Sequence, residues 1–157
     1  VLDSKKPLHR LAQAFVNVAA ETAEQLATET LRRQNFNAAF QRLTRRVVLG
    51  DRAADDTQLT ETLIDMMSAG NKLPGEPAPE YAEFIQRIEG YLVDPDPNSL
   101  ASLVASAPTA PDVKPATQMV HWLFAMGDTL AVNVFRALGA TVKDVELPHS
   151  RYGVATY

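Results

Sequence analysis

Apolar residues recur every three or four positions through most of the chain, and breaks rich in proline or glycine separate these stretches. This spacing places the apolar side chains on one face of a helix. The first such stripe is Leu8, Leu11, Phe15, Val18, Thr22 and Leu26. The pattern predicts an all-α protein of about six helices, over roughly residues 7–32, 35–49, 56–70, 81–92, 98–106 and 116–138.

The last predicted helix differs from the others because Met119–Leu138 is apolar on nearly every face. A helix of that kind is buried in a core or a membrane. Its uninterrupted apolar run is only Trp122–Met126, too short for a membrane span, which needs about 20 residues. We therefore predict a long buried helix at about 116–138. Asp128 and Thr129 stand at its centre, where a carboxylate is costly unless it is paired or used.

The end of the chain has another character. Val142, Val145 and Leu147 are compatible with a short strand, but no partner strand is evident in the sequence. A lone strand is not stable, so a loosely held tail is expected. We divide the chain into a helical segment, residues 1–139, and an atypical tail, residues 140–157.

Composition narrows the possible functions. A net charge of −4 and a pI of about 5.3 argue against a general nucleic-acid binder. There is no cysteine, and the three histidines are not at ligand spacing, so a metal site built by this chain is not expected. No secretory signal or membrane segment is predicted, and the absence of cysteine fits a cytoplasmic protein. The chain does not begin with methionine, which suggests a piece of a longer product.

The order of these elements resembles the central segment of the bacterial cytochrome P-450 family, the haem-thiolate monooxygenases. Two stretches carry most of the resemblance, which covers about residues 7–139. Arg45–Asp51 looks like the end of the family's helix E and the turn into helix F. The long helix looks like helix I, whose pattern is two small residues, a spacer, an acid and a threonine. Residues 125–129, Ala-Met-Gly-Asp-Thr, occupy that pattern, with a methionine at the second small position.

The resemblance implies roles for six residues. Asp128 and Thr129 would form the catalytic acid–alcohol pair that relays protons to iron-bound dioxygen. Ala125 and Gly127 would line the haem side of the helix. His121 and Phe124 would face the substrate pocket.

The resemblance also implies haem b, a ferredoxin or flavoprotein reductase as electron donor, and an apolar small molecule as substrate. The family's iron is held by a cysteine thiolate downstream of helix I, and thiolate ligation drives O–O cleavage. This chain has no cysteine. We therefore expect a partial or truncated member that binds no haem stably, is inactive alone and is marginally stable.

Several residues also have simpler interpretations. A buried acid often forms a structural ion pair, and Asp128 could do so with Arg136 or another arginine. His121 could be a hydrogen-bonded core residue. Met66 and Met67 could line a substrate channel or fill the core. A group of arginines could be a docking surface for an acidic redox partner or a nucleic acid, but a solvated helix face paired with nearby acids is expected: Arg32, Arg33, Arg42, Arg45 and Arg46.

Two other functions remain open from the sequence. One is a non-enzymatic interaction protein that associates with itself through the 116–138 helix, because an exposed apolar face marks an interface. The other is a carrier of an apolar ligand, with a pocket near Phe124.

Overall fold

The all-α prediction is confirmed. The structure, a computed structural model, describes residues 8–70, 78–108 and 110–141, and within these ranges it contains helices and no strand. The helices are α1 Ala12–Ala27, α2 Arg33–Leu49, α3 Thr57–Gly70, α4 Tyr81–Val93, α5 Leu100–Ser106, α6 Pro115–Phe124 and α7 Ala131–Thr141. A 3₁₀ turn, Asp51–Ala53, joins α2 to α3, and a π-helical segment, Ala125–Leu130, joins α6 to α7.

The predicted boundaries agree with this structure except at the first helix. That helix begins at Ala12 and ends at Ala27, so it is shorter at both ends than the predicted 7–32. Leu8 is largely exposed and does not continue the apolar stripe, whereas Phe15 and Leu26 are half-buried. Of the predicted tail, residues 140–157, Ala140 and Thr141 form the end of α7, so the helix extends past the predicted boundary, and the rest lies outside the described residues.

The core consists of two apolar clusters on either side of α2. The larger one unites α2, α3, α4, α5 and α6 around fully buried Val48, Leu59, Ile88 and Met119. The smaller one joins α1, α2 and α7, and Phe36 is its centre: its ring centroid lies 5.4 Å from that of Phe40 and 5.1 Å from that of Phe135. Helix α2 therefore supplies side chains to both clusters and is the central element of the fold.

The long helix runs from Pro115 to Thr141, as predicted, but it is not buried on every face. Its buried side chains are Ala116, Met119, Leu123 and Ala131. The central acid–alcohol pair, which was predicted to be buried, is exposed. The physical reason is that, among the described elements, α6 packs against α2, α3, α4 and α5, whereas the π-helical segment and α7 pack chiefly against α2. None of the described helices is both long enough and apolar enough to cross a membrane.

Arg45 departs from the predicted solvated arginine face, because its side chain is buried between α2 and α3. Its Nε donates to the carbonyl oxygens of Ala53 and Ala54 at 3.0 and 3.2 Å, and Nη2 donates to that of Ala54 at 2.7 Å. Its Nη1 donates to the Thr60 hydroxyl at 2.6 Å. Burial lowers the pKa of Arg45, against the opposing field of Asp56. Two other arginines of the group pair with acids as predicted: Arg42 with Asp55, and Arg46 with Glu21 of α1 and Asp51 of the 3₁₀ turn.

A buried carboxylate fixes α3 to α4. Asp56 precedes the first residue of α3 and accepts the N–H of Leu59, the position a capping residue serves. It also accepts two hydrogen bonds from Arg87, at 2.8 and 2.7 Å, and one from the Tyr91 hydroxyl at 2.8 Å. Burial would raise the pKa of Asp56, but the hydrogen bonds from Arg87 and Tyr91 outweigh it and lower that pKa below its usual value. Burial and the neighbouring carboxylate raise the pKa of Tyr91 to about 12.

The lowered pKa of Asp56 predicts an acid-sensitive α3–α4 contact. The unfolded chain binds a proton at this carboxyl near pH 3.9, about the model-peptide value, and the folded chain binds it only at lower pH. The resulting stabilisation is fully present above about pH 4 and is lost as the pH falls through the folded pKa, with a slope of at most about 1.4 kcal/mol per pH unit. Urea unfolding between neutral and acidic pH measures it.

The variant Asp56→Asn is expected to be less stable at neutral pH and to show a shallower loss of stability on acidification. Asp112→Asn, which replaces an exposed acid on a loop, is the control and should keep the wild-type pH profile. If Asp56→Asn lost stability on acidification as steeply as the wild type, Asp56 would not be the source of the acid sensitivity.

Candidate functional site

The π-helical segment coincides with the acid–alcohol pattern singled out in the sequence. Residues 125–130 form it, and the N–H of Ala131 is directed to the carbonyl oxygens of Met126 and Asp128 rather than to that of Gly127, four residues back. Such widened turns inside α-helices are frequent at functional sites. The π-helical segment thus contains all five residues of the sequence pattern, 125–129, and one more, Leu130.

The segment rests on α2 at Thr44. A side-chain carbon at Gly127 would lie 3.7 Å from Cγ2 and 3.9 Å from Oγ1 of Thr44, which is ordinary contact distance. The Thr44 hydroxyl itself donates to the carbonyl of Phe40 at 2.9 Å. Met126, which stands at the pattern's second small position, packs against the larger core cluster, so its bulk is accommodated away from the exposed side of the helix.

A cleft of about 260 Å³ opens where α3 faces the junction of α6 and the π-helical segment. We call it the α3 cleft. Its buried side chains are Leu63 and Leu123, and Ile64 is half exposed. Its walls consist of Gln41, Thr60, Leu63, Ile64, Met67, Ser68, Leu123, Phe124, Gly127 and Asp128. This volume lies just below the range for small-molecule pockets, which begins at about 300 Å³.

Three of the six predicted site residues meet at this cleft: Phe124, Gly127 and Asp128. The other three do not line it. His121 and Thr129 are exposed, and Ala125 is half-buried elsewhere on the helix. His121 is therefore not the buried core histidine of the simpler interpretation, and it lies outside this cleft.

Asp128 is the one charged residue among the described residues that line the cleft. The simpler interpretation paired it with Arg136 or another arginine. The ion pairs within the described ranges are made by other residues, and Asp128 joins none of them. Its carboxylate faces solvent at the edge of an otherwise uncharged cleft, where it can meet a ligand.

Sequence reasoning identified Met67 as a channel candidate but missed the polar lining residues Gln41, Thr60 and Ser68. Helical spacing could have placed Thr60 beside Leu63 and Ile64 on α3. Nothing in the sequence indicated that α2 lies opposite the acid–alcohol pair, so Gln41 could not be predicted as a lining residue. Arg45 was missed for a similar reason, because its burial depends on the turn at Ala53 and Ala54.

The residues present do not provide a site for the haem iron of the family that the sequence resembles. The thiolate would have to come from a cysteine, and the chain contains none. Within the described ranges, no three side chains of the His, Cys, Asp and Glu types come together as a metal-binding group. The chain therefore cannot supply the thiolate ligand of that family.

Comparison with known proteins adds little to this picture. No protein-family model and no solved structure matches the chain. A subunit of the glutamyl-tRNA(Gln) amidotransferase of Enterococcus faecalis is 63% identical over 27 residues. The match covers 17% of this chain and 6% of that protein, so the chain spans far less than two thirds of this curated relative. A similarity of that extent shows no family membership.

Proposed function

We propose that the chain is the substrate-facing helical part of a cytochrome P-450-like protein, whose complete form would be a haem-dependent monooxygenase of apolar small molecules. One observation carries the proposal. The helix that resembles helix I is widened at its acid–alcohol pattern, Ala125–Thr129, and this widened segment borders a mostly apolar cleft. Since the pattern came from residue types and the widening from backbone geometry, the two are separate sources of support.

In this proposal the chain's own residues bind and orient the small molecule. Leu63, Met67, Leu123 and Phe124 provide apolar contact, and Asp128 stands where a carboxylate can hold or move a proton at its oxygens. Haem supplies oxygen activation when it is bound with a thiolate ligand. The present chain has no such ligand and is proposed to be inactive alone, cytoplasmic, and dependent in its complete form on a ferredoxin or flavoprotein reductase.

The first test is a haem titration of the purified chain, followed by reduction under carbon monoxide and an absorbance scan. We expect no red-shifted Soret band of the thiolate type, because the chain has no thiolate to give. Observation of that band would overturn the proposal that this chain is an incomplete, inactive member.

The second test concerns the α3 cleft. An environment-sensitive apolar dye is expected to bind saturably, and Phe124→Ala is expected to weaken binding by about tenfold, since burying an aromatic side chain is worth about 1.5–3 kcal/mol and the cleft covers it only in part. Phe15→Ala on α1, outside the cleft, is the matched control and should bind like the wild type. Equal weakening in both variants would place the dye elsewhere.

Solution mass separates the proposal from its main alternative, self-association through the 116–138 helix. A monomer that binds the dye supports a small-molecule site. A dimer in which Leu130→Glu restores the monomer would instead favour the interaction protein, because Leu130 is an exposed apolar residue of that helix.

A further inference from the structure

The α3 cleft combines apolar walls with a single negative charge at its edge. Leu63 and Leu123 form its buried floor, and the exposed carboxylate of Asp128 stands at its rim. We infer that the ligand of this cleft is an amphiphilic amine: an apolar body that fills the floor, and a protonated amino group that pairs with Asp128. This inference rests on the proposed small-molecule role of the cleft and is independent of haem.

The remaining polar groups of the cleft are compatible with a cation. Gln41, Thr60 and Ser68 are uncharged and carry oxygen atoms that can accept from an ammonium group. Phe124 adds an aromatic ring to the wall, and the face of such a ring attracts a cation within about 6 Å. A carboxylate ligand would find no charged partner among the described lining residues and would meet Asp128 as a like charge.

The positive charge of Arg45, which is hydrogen-bonded to Thr60 of the cleft, is occupied. The Arg45 guanidinium lies behind Thr60, outside the cleft lining, and it donates to the Thr60 hydroxyl and to carbonyl oxygens of the α2–α3 connection. Acidic neighbours also surround it, since Asp56 and Asp55 oppose the lowering of its pKa by burial. Arg45 therefore does not provide an anion-binding group to the cleft.

Three probes of similar size and different charge test the inference: 4-phenylbutylamine, 4-phenylbutan-1-ol and 4-phenylbutyrate. Each is titrated at neutral pH into the ¹⁵N-labelled chain, and binding is followed by amide shifts at Phe124, Gly127 and Asp128. We expect the amine to bind about two- to fivefold more tightly than the alcohol, the range of an exposed ion pair, and the carboxylate to bind most weakly. Added salt should reduce the difference.

Two variants decide whether Asp128 causes that order. In Asp128→Asn the preference for the amine over the alcohol should fall, and the variant should fold because the side chain is exposed. Glu89→Gln, which removes an equal charge from an exposed position of α4 outside the cleft, should keep the wild-type preference. An amine preference that is undiminished in Asp128→Asn would overturn the inference.

The outcomes also separate this inference from the proposed function. If all three probes bind with shifts at the cleft and equal affinity, the small-molecule site stands and the preference for amines is wrong. If none of them shifts these amides, both the cleft's proposed role and the inference fail.

Discussion

Replacement of Gly50 by alanine is expected to cause a large loss of stability. Gly50 ends α2 with φ 102° and ψ 174°, a combination that is essentially restricted to glycine. A methyl group at this position would also overlap the Cβ of Asp96. Backbone strain alone costs about 1–3 kcal/mol, and the overlap adds to it, so a loss of about 3 kcal/mol or more in the free energy of unfolding is expected.

The overlap matters because Asp96 holds the α2 end to the loop before α5. Its carboxylate accepts the N–H of Asp51 at 3.1 Å and that of Asn98 at 2.8 Å, and its carbonyl accepts the hydroxyl of Ser99 at 2.7 Å. Displacement of Asp96 would disturb all three contacts.

Gly90→Ala is the matched control for Gly50→Ala. Gly90 lies inside α4, and a methyl group there meets nothing within 4 Å. Alanine in a helix interior is favoured over glycine by about 0.5–1 kcal/mol, so this variant should be more stable than the wild type. Urea unfolding of both variants measures the contrast, and a Gly50→Ala protein as stable as Gly90→Ala would contradict the described turn.

Replacement of Arg45 by leucine is also expected to cause a large loss of stability. The substitution keeps an apolar stem but leaves the carbonyl oxygens of Ala53 and Ala54 and the hydroxyl of Thr60 without their donor. Each buried polar group left unpaired costs about 1–3 kcal/mol, so we expect a loss of about 3 kcal/mol, measured by urea unfolding. The turn between α2 and α3 should open, seen as faster amide exchange at residues 53–56.

Arg42→Leu provides the comparison, since it changes the same residue type one helical turn earlier. Arg42 pairs with Asp55, whose side chain is largely exposed, and such surface pairs contribute about 0–1 kcal/mol. Its loss should therefore be small and should leave exchange at the turn unchanged. Equal destabilisation by the two substitutions would show that burial of Arg45 does not determine its contribution.

The ends of helices were predicted well where a glycine or a proline interrupts the apolar pattern. Gly50, Gly70 and Pro95 interrupt the apolar stripes, and the corresponding helices end at or within two residues of them. The first helix was predicted too long because Pro7 suits a helix start and no strong stop follows Ala27. Local signals of this kind determine where a helix is interrupted better than how far it extends.

The site was predictable only in part because its geometry is tertiary. The residue types of Asp128 and Thr129 identified the candidate stretch, but their exposure depends on which side of the helix other helices cover. The burial of Arg45 was also not predictable from the sequence, where five arginines look alike. Arg45 alone of these five is buried, because the carbonyl oxygens of Ala53 and Ala54 accept hydrogen bonds from it. Apolar composition predicted burial of the entire long helix, whereas packing buries a single stripe.

The widened turn in the long helix has a consequence for how one helix can serve two cores. Met119 and Leu123 face the larger cluster, and Ala131 begins the stripe that reaches the smaller one. In a regular α-helix each residue advances by about 100°, so a position eight residues after Leu123 would point about 80° away from it. The extra residue of the π-helical segment returns Ala131 to nearly the same side. The segment is thus a phase correction in the hydrophobic repeat: if the same eight residues formed a regular α-helix, α7 would be turned by about a quarter of a revolution relative to α2.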